Sequence, residues 1–147
     1  MKCDNYIKLT VPALSRNESF ARAAVGAFVS QLDPTLDELG SVKAAVSEAV
    51  TNCIVHAYAD SDTIGLINIT SRIIGNEIYI KISDKGCGIE DIKKAMEPLF
   101  TTKPEQERSG LGFAVMESCC DKVRVSSKKG KGTTVTLIFT VKEKELK

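Results

Sequence analysis

The chain reads as a two-layer α/β sandwich, a mixed sheet with helices on one face. Three observations predict this class. Apolar residues alternate with polar ones in several short segments, which is the period of half-buried strands. Two longer segments carry apolar residues at helical spacing behind N-terminal capping signals. Glycine-containing turns join the later strands as hairpins, so helices fall before and between antiparallel pairs. At 147 residues the chain has about one domain's worth of length.

From the N-terminus, Ile7, Leu9 and Val11 alternate with Lys8 and Thr10 as a strand that Pro12 ends. Ser15-Arg16-Asn17-Glu18 reads as a capping box, in which serine and glutamate side chains satisfy orphan backbone N–H groups reciprocally. A helix is expected from Arg16 to Leu32 with Phe20, Ala24, Ala27 and Phe28 as its buried stripe, and Asp33-Pro34 stops it. A second box, Thr35-Leu36-Asp37-Glu38, opens a longer helix reaching Ala57, with Leu39, Val42, Val46, Val50, Cys53 and Ala57 on the buried side. Ile64 to Ile73 and Glu77 to Ser83 read as strands joined at Gly75-Asn76, with Ile78, Ile80 and Ile82 facing inward. A short helix is expected from Glu90 to Met96, then a polar irregular segment from Glu97 to Ser109, then a helix from Gly110 to Cys120. Val123 to Ser127 and Thr134 to Val141 close the chain as a second hairpin around Gly130-Lys131-Gly132. The lysines at 128, 129 and 131 read as a solvated turn.

Composition removes several functions. Lys plus Arg number 20 against 19 Asp plus Glu, a net charge of +1 that supplies no field for a general nucleic-acid or anionic-membrane binder. The single histidine, His56, cannot build a multi-histidine metal site and leaves one candidate for Ser-His or Cys-His machinery. It is expected as a helix-end histidine. Five cysteines without CxxC spacing fit a reducing compartment, and Cys119-Cys120 read as buried free thiols. The start has no apolar signal region and no stretch approaches a membrane span, so a cytoplasmic protein is expected.

Candidate chemistry then rests on carboxylates, amides, hydroxyls and glycines. Glu48 and Asn52, spaced i, i+4, share one face of the second helix, opposite its apolar stripe. Periodicity alone makes this a solvated face, and a functional role needs something to cover it. Ser41, Ala45 and Ala49 beside the pair are small enough to let a ligand approach. Asp84-Lys85-Gly86-Cys87-Gly88-Ile89 comes directly after a strand. It is no calcium loop, because glycines stand where oxygen ligands belong. The glycines would instead admit a flat ring, with Asp84 as an acceptor suited to an exocyclic amine. Ser109-Gly110-Leu111-Gly112 precedes a helix whose free N–H groups can receive phosphate. It is neither a P-loop nor a dinucleotide fingerprint.

Taken in order, Glu48-xxx-Asn52, Asp84-x-Gly86-x-Gly88-Ile89, Gly110-x-Gly112 and Gly132-Thr133-Thr134 resemble the N, G1, G2 and G3 boxes of the GHKL ATPases, the clan of gyrase B, histidine kinases and MutL. Within it, Asn17-Glu18-Ser19-Phe20-Ala21-Arg22, Gln31 to Thr35, Ser47 to Asn52 and Pro98 to Glu105 are similar to the anti-sigma serine-protein kinases of spore-forming bacteria. The resemblance covers nearly the whole chain and implies a single GHKL ATP-binding domain over 1–147 with an ATP lid over 97–109. It implies that Asp84 accepts from the adenine N6 amine, with Thr133 supporting through a water and Gly86 and Gly88 in the same pocket. Guanine presents a carbonyl there, so ATP is preferred over GTP.

The resemblance further implies that Asn52 holds Mg2+ with the ATP phosphates. Ser109, Gly110, Leu111 and Gly112 would cradle those phosphates, and Thr101, Thr102, Lys103 and Arg108 would contribute from the lid, with Lys103 and Arg108 neutralising charge. Glu48 is the implied general base toward a substrate serine. Glu18 and Arg22 are the implied partner contacts. The implied partners are a sporulation sigma factor, an anti-anti-sigma protein as kinase substrate and a second copy of the chain, with no direct nucleic acid and no membrane. The length leaves no room for a transducer domain or a phosphoacceptor hairpin. The rival reading is a binding-only module that sequesters its partner without kinase activity.

Overall fold

The computed structural model describes residues 3–59, 61–89 and 112–142. Five strands, β1 (Asn5–Pro12), β2 (Leu66–Ile74), β3 (Glu77–Asp84), β4 (Lys122–Lys128) and β5 (Gly132–Thr140), form one sheet in the order β1-β2-β3-β5-β4. The described helices are α1 (Arg16–Val29), α2 (Leu36–Asn52) and α3 (Gly112–Cys119). The expected helix from Glu90 to Met96 and the lid over 97–109 lie outside the described residues.

Alternation builds the two layers as the sequence predicts. Ile67, Ile69 and Ile73 of β2, Ile78, Ile80 and Ile82 of β3, and Val135, Leu137 and Phe139 of β5 are all buried on one face. Register aligns them across strands, Ile69 opposite Ile82 and Ile80 opposite Leu137. Each fully buried isoleucine contributes about 1.5–3 kcal/mol. The opposite face carries Lys8, Thr70, Lys81 and Thr136 in one transverse row.

The sheet departs from the mixed sheet expected. Every strand pair is antiparallel. β4 runs in the same direction as β3, but β5 lies between them, so the crossover after β3 produces no parallel neighbours.

The helices need two corrections. The Ser15–Glu18 capping box does not form. Ser15 is itself helical (φ −56°, ψ −35°), whereas a cap needs extended backbone to aim its hydroxyl at the third N–H. The Glu18 N–H instead meets the Ser15 carbonyl at 3.2 Å, and the Glu18 carboxylate turns to Arg22. The buried stripe of α1 is also rotated from the expected one. Ala21, Val25, Phe28 and Val29 face the core, while Phe20 is 52 % exposed. Positions 21, 25, 28 and 29 are i, i+4, i+7 and i+8, the same repeat as the expected stripe moved on by one residue, about 100° around the helix. A 3-10 turn, Ser30–Leu32, then ends at Asp33 in the left-handed region (φ 54°), which stops the helix before Pro34.

At α2 the Thr35–Glu38 box forms completely. The Glu38 N–H donates to Thr35 Oγ1 at 3.1 Å, and the Thr35 N–H donates to the Glu38 carboxylate at 2.9 Å. Val42, Val46, Val50 and Cys53 are buried as expected. The helix ends as a regular α-helix at Asn52 and continues as a π-turn, Cys53–Ala57. Such a turn accommodates one extra residue and shifts the helical phase of the residues beyond it.

Candidate functional site

The site gathers where the C-terminal end of α2 meets the end of β3. Asp84 is the last residue of β3, opposite Thr133 on β5 and Ile67 on β2. It is only 8 % exposed, so its carboxylate must be satisfied internally or by a ligand. Oδ1 accepts the Gly86 N–H at 2.9 Å and the Thr133 N–H at 3.3 Å. Oδ2 accepts the Cys53 thiol at 3.5 Å. The register answers which of two adjacent threonines belongs here. Thr133 shares the face of Asp84, while Thr134 turns to the open face, where its hydroxyl meets Ser83 at 3.1 Å.

The motif glycines are required by close backbone approach. A Cβ on Gly86 would stand 2.1 Å from the Ala57 carbonyl oxygen at the end of the π-turn, and the Cys87 N–H donates to that same oxygen at 2.7 Å. A Cβ on Gly132 would stand 2.1 Å from the Asp84 carbonyl oxygen, at φ +100°. Gly88 is packed the same way against Lys128. On the side where a Cβ would stand, Gly86 and Gly88 meet the protein's own backbone, which joins α2, the β3 loop and the β4–β5 turn, so glycine is required there for close packing. The lysine-bearing turn is exposed in its side chains yet fastened by its backbone, the Gly130 N–H donating to the Cys87 carbonyl at 2.6 Å.

Glu48 and Asn52 lie on one face of α2 and both are half-buried. The solvated face that periodicity implies is not observed, because α2 is the middle helix and both α1 and α3 pack against it. Ala45 and Ala49 are fully buried in that packing, so they serve helix contact and leave no approach for a ligand. Asn52 makes no side-chain hydrogen bond among the described residues, which leaves its amide oxygen available. No group of three metal-ligating His, Cys, Asp or Glu side chains occurs among the described residues. An available amide oxygen suits Mg2+, which takes few protein ligands and keeps several waters.

Gly112 begins α3 and is buried. Thr101, Thr102, Lys103, Arg108, Ser109, Gly110 and Leu111 lie outside the described residues. Glu18 and Arg22 pair at 2.9 Å, with side chains 22 % and 41 % exposed. Arg22 also donates to Ser47 Oγ at 3.2 Å, so it ties α1 to the residue preceding Glu48.

Three residues of the site carry no sequence signal as site residues. Tyr58 Oη donates to the Leu66 carbonyl at 2.7 Å and accepts the Lys85 N–H at 2.8 Å, bracing the loop that carries the glycines. Burial pushes its hydroxyl pKa above the ordinary range. Ser127 joins the Ile89 N–H (2.7 Å) to the Thr133 hydroxyl (2.8 Å). Cys53 belongs to the apolar stripe by periodicity, and its contact with Asp84 is visible only in three dimensions. A cleft of about 360 Å³ opens on the outer side of the loop, beside Tyr58, Gly65 and Lys85, and of the expected nucleotide residues it includes only Gly86. His56 lies in the π-turn, at the helix end where it is expected. Cys119 and Cys120 are half-buried against the core, and burial pushes the Cys120 thiol up to about 12.

An antiparallel sheet packed against three helices among the described residues, with a buried acceptor at the end of β3 and an amide on the adjoining helix, defines an α/β sandwich suited to a nucleotide. The histidine kinase-like ATPase domain family matches residues 11–139. The anti-sigma F factor of Caldanaerobacter subterraneus subsp. tengcongensis is 52% identical over 137 residues, covering 93% of this chain and 94% of that protein. The anti-sigma F factor of Clostridium kluyveri is 54% identical over 134 residues, covering 91% and 93%. Among solved structures, the RsbU and RsbW domains of a Mycobacterium tuberculosis protein match with a TM-score of 0.66 at 18% identity, over 93% of this chain and 32% of that one. The catalytic domain of histidine kinase ThkA matches with a TM-score of 0.58 at 16% identity, over 93% and 96%. These two structural likenesses show the fold. The chain belongs to the histidine kinase-like ATPase family and, within it, to the anti-sigma F factors. No helix among the described residues is long and apolar enough to cross a membrane.

Proposed function

We propose that this chain is a cytoplasmic, homodimeric anti-sigma factor that sequesters a sporulation sigma factor, sigma F in kind. We further propose that it uses ATP to phosphorylate a serine on the anti-anti-sigma protein opposing it. The observation that carries the nucleotide reading is Asp84, a nearly buried carboxylate held by two backbone N–H groups with an acceptor direction left over. That acceptor meets the N6 amine of adenine. A guanine carbonyl in its place would leave both groups unpaired, at a cost of about 1–3 kcal/mol.

Glu48 is the general base in this reading. It takes the proton of the substrate serine as that oxygen bonds to the γ-phosphorus and the bond to the β–γ bridging oxygen breaks, leaving ADP. Asn52 would hold Mg2+ through its amide oxygen, and the ion would supply charge neutralisation for the phosphates. In this reading the N–H groups around Ser109, Gly110, Leu111 and Gly112 receive the phosphates, Lys103 and Arg108 neutralise their charge, and Thr101 and Thr102 belong to the same site. Glu18 and Arg22 present the α1 surface to the protein partners, and the Arg22–Ser47 hydrogen bond links that surface to the turn of α2 bearing Glu48.

The test incubates the protein with Mg·ATP and the candidate antagonist and locates the phosphate by mass spectrometry. Phosphoserine on the antagonist, lost by about 10²–10⁴-fold in Glu48→Gln with ATP and sigma-factor binding retained, is the expected result. Transfer undiminished in Glu48→Gln removes Glu48 as the base. No transfer by the nucleotide-bound wild type establishes the binding-only module instead.

A further inference from the structure

Asp84 has more partners than base recognition requires, and one of them is a side chain. Cys53 and Asp84 are 5 % and 8 % exposed, and Cys53 Sγ lies 3.5 Å from Asp84 Oδ2. The thiol donates to that carboxylate oxygen, which is acceptor-only when ionised. An ionised carboxylate offers about four lone-pair directions. Oδ1 uses two, toward the Gly86 and Thr133 N–H groups. Oδ2 uses one toward Cys53. One direction on Oδ2 remains.

The geometry points to Cys53 as a positioning residue for base recognition: its thiol engages Asp84 Oδ2 so that a single acceptor direction is presented to the exocyclic amine of the nucleotide base. The inference rests on the reading of Asp84 as the adenine acceptor and goes beyond it in assigning what aims that acceptor. Cys53 is the first residue of the π-turn, directly after Asn52, and the turn's last carbonyl, Ala57, anchors the loop beyond Asp84. The group that orients the base acceptor is thus covalently adjacent to the amide assigned to the metal. Alanine at position 53 would leave Oδ2 with two open directions and the carboxylate held at Oδ1 alone. A hydroxyl would keep the donor but draw the oxygen closer, since an O–H···O bond spans about 2.7 Å.

Two measurements test this. In the infrared, the S–H stretching band isolated by subtracting the Cys53→Ala spectrum from wild type lies below that of an unbonded thiol, shifts in Asp84→Asn, and shifts again when ADP is added. A band at the unbonded position that ADP does not move overturns the proposal. The second measurement is the ratio of dissociation constants for ADP and for IDP, which carries a carbonyl where ADP carries the amine. Asp84→Asn should abolish the preference for ADP. Cys53→Ala should reduce it about tenfold through weaker ADP binding, with IDP unchanged, and Cys53→Ser should retain most of it. Asp84→Asn losing the preference while Cys53→Ala keeps it shows Cys53 to be core filling and overturns its positioning role alone. An equal loss of ADP and IDP affinity in Cys53→Ala, a structural defect, overturns it as well. Asp84→Asn keeping the preference overturns the base reading and the role of Cys53 with it.

Discussion

The two ends of α2 are built on different principles. The N-terminal end is closed locally, by Thr35 and Glu38 three residues apart, and Gly40 just inside it has nothing within 4 Å of where a Cβ would stand. The C-terminal end is closed by partners distant in the chain: Cys53 on Asp84, the Ala57 carbonyl on Cys87, and Tyr58 on Lys85 and Leu66. The first end rests chiefly on its own residues, with one distant contact, the Lys142 N–H donating to the Glu38 carboxylate at 2.9 Å. The other exists only because β3 and its loop arrive there, and it carries the candidate site. A helix end whose shape depends on long-range contacts can be coupled to a ligand, whereas a locally capped end is indifferent to one.

This contrast can be broken or sharpened by substitution. The largest effect is expected from Gly86→Ala. Its Cβ meets the Ala57 carbonyl, so overpacking costs about 1–3 kcal/mol and displaces the loop after Asp84. Chemical denaturation should show the loss together with weakened ADP binding. Tyr58→Phe comes next. Removing a hydroxyl that joins two backbone groups costs about 1–2 kcal/mol, and hydrogen exchange at the Lys85 amide should accelerate.

At the opposite end the effects are smaller and purely thermodynamic. Thr35→Ala should cost about 1 kcal/mol with ADP affinity unchanged, while Ser15→Ala, at the box that does not form, should cost less than about 0.5 kcal/mol. Gly40→Ala, exposed inside α2, should stabilise by about 0.5–1 kcal/mol. The same chemical change thus has opposite signs at Gly40 and Gly86.

The acid side supplies a further check. Backbone N–H groups at Thr35 and Lys142 hold the Glu38 carboxyl below its ordinary range. A depressed folded pKa contributes stability that is complete above the unfolded value of about 4.3 and is lost as pH falls through the folded value. The difference in unfolding midpoint between wild type and Glu38→Gln should therefore be present at neutral pH and vanish in acid.

Legibility in the sequence divides along the same line. The strands, the two hairpins and the Thr35 cap rest on short-range patterns, alternation of Ile with polar residues and a threonine three positions before a glutamate. Glu48, Asn52, Asp84 and the glycines could be singled out because motif chemistry recurs at fixed spacing. The capping box at Ser15 failed because the pattern does not specify the backbone of Ser15, which continues into the helix. Phe20 falls outside the buried stripe because α1 offers two overlapping apolar stripes, and only its packing on α2 selects Val25 over Ala24. The solvated reading of Glu48 overlooked a neighbour on each side of α2. Cys53, Tyr58 and Ser127 were missed because each acts across the fold, and a cysteine within an apolar stripe has no local feature to separate a hydrogen-bond donor from filler.

The central claim is that the end of β3 reads an adenine base through Asp84. Calorimetric titration of the wild-type protein and of Asp84→Asn with Mg·ATP and Mg·GTP tests it most directly. Wild type should bind ATP at least about tenfold more tightly than GTP, and Asp84→Asn should lose this preference. Equal affinity of the wild type for both nucleotides, or a preference that survives in Asp84→Asn, would contradict it.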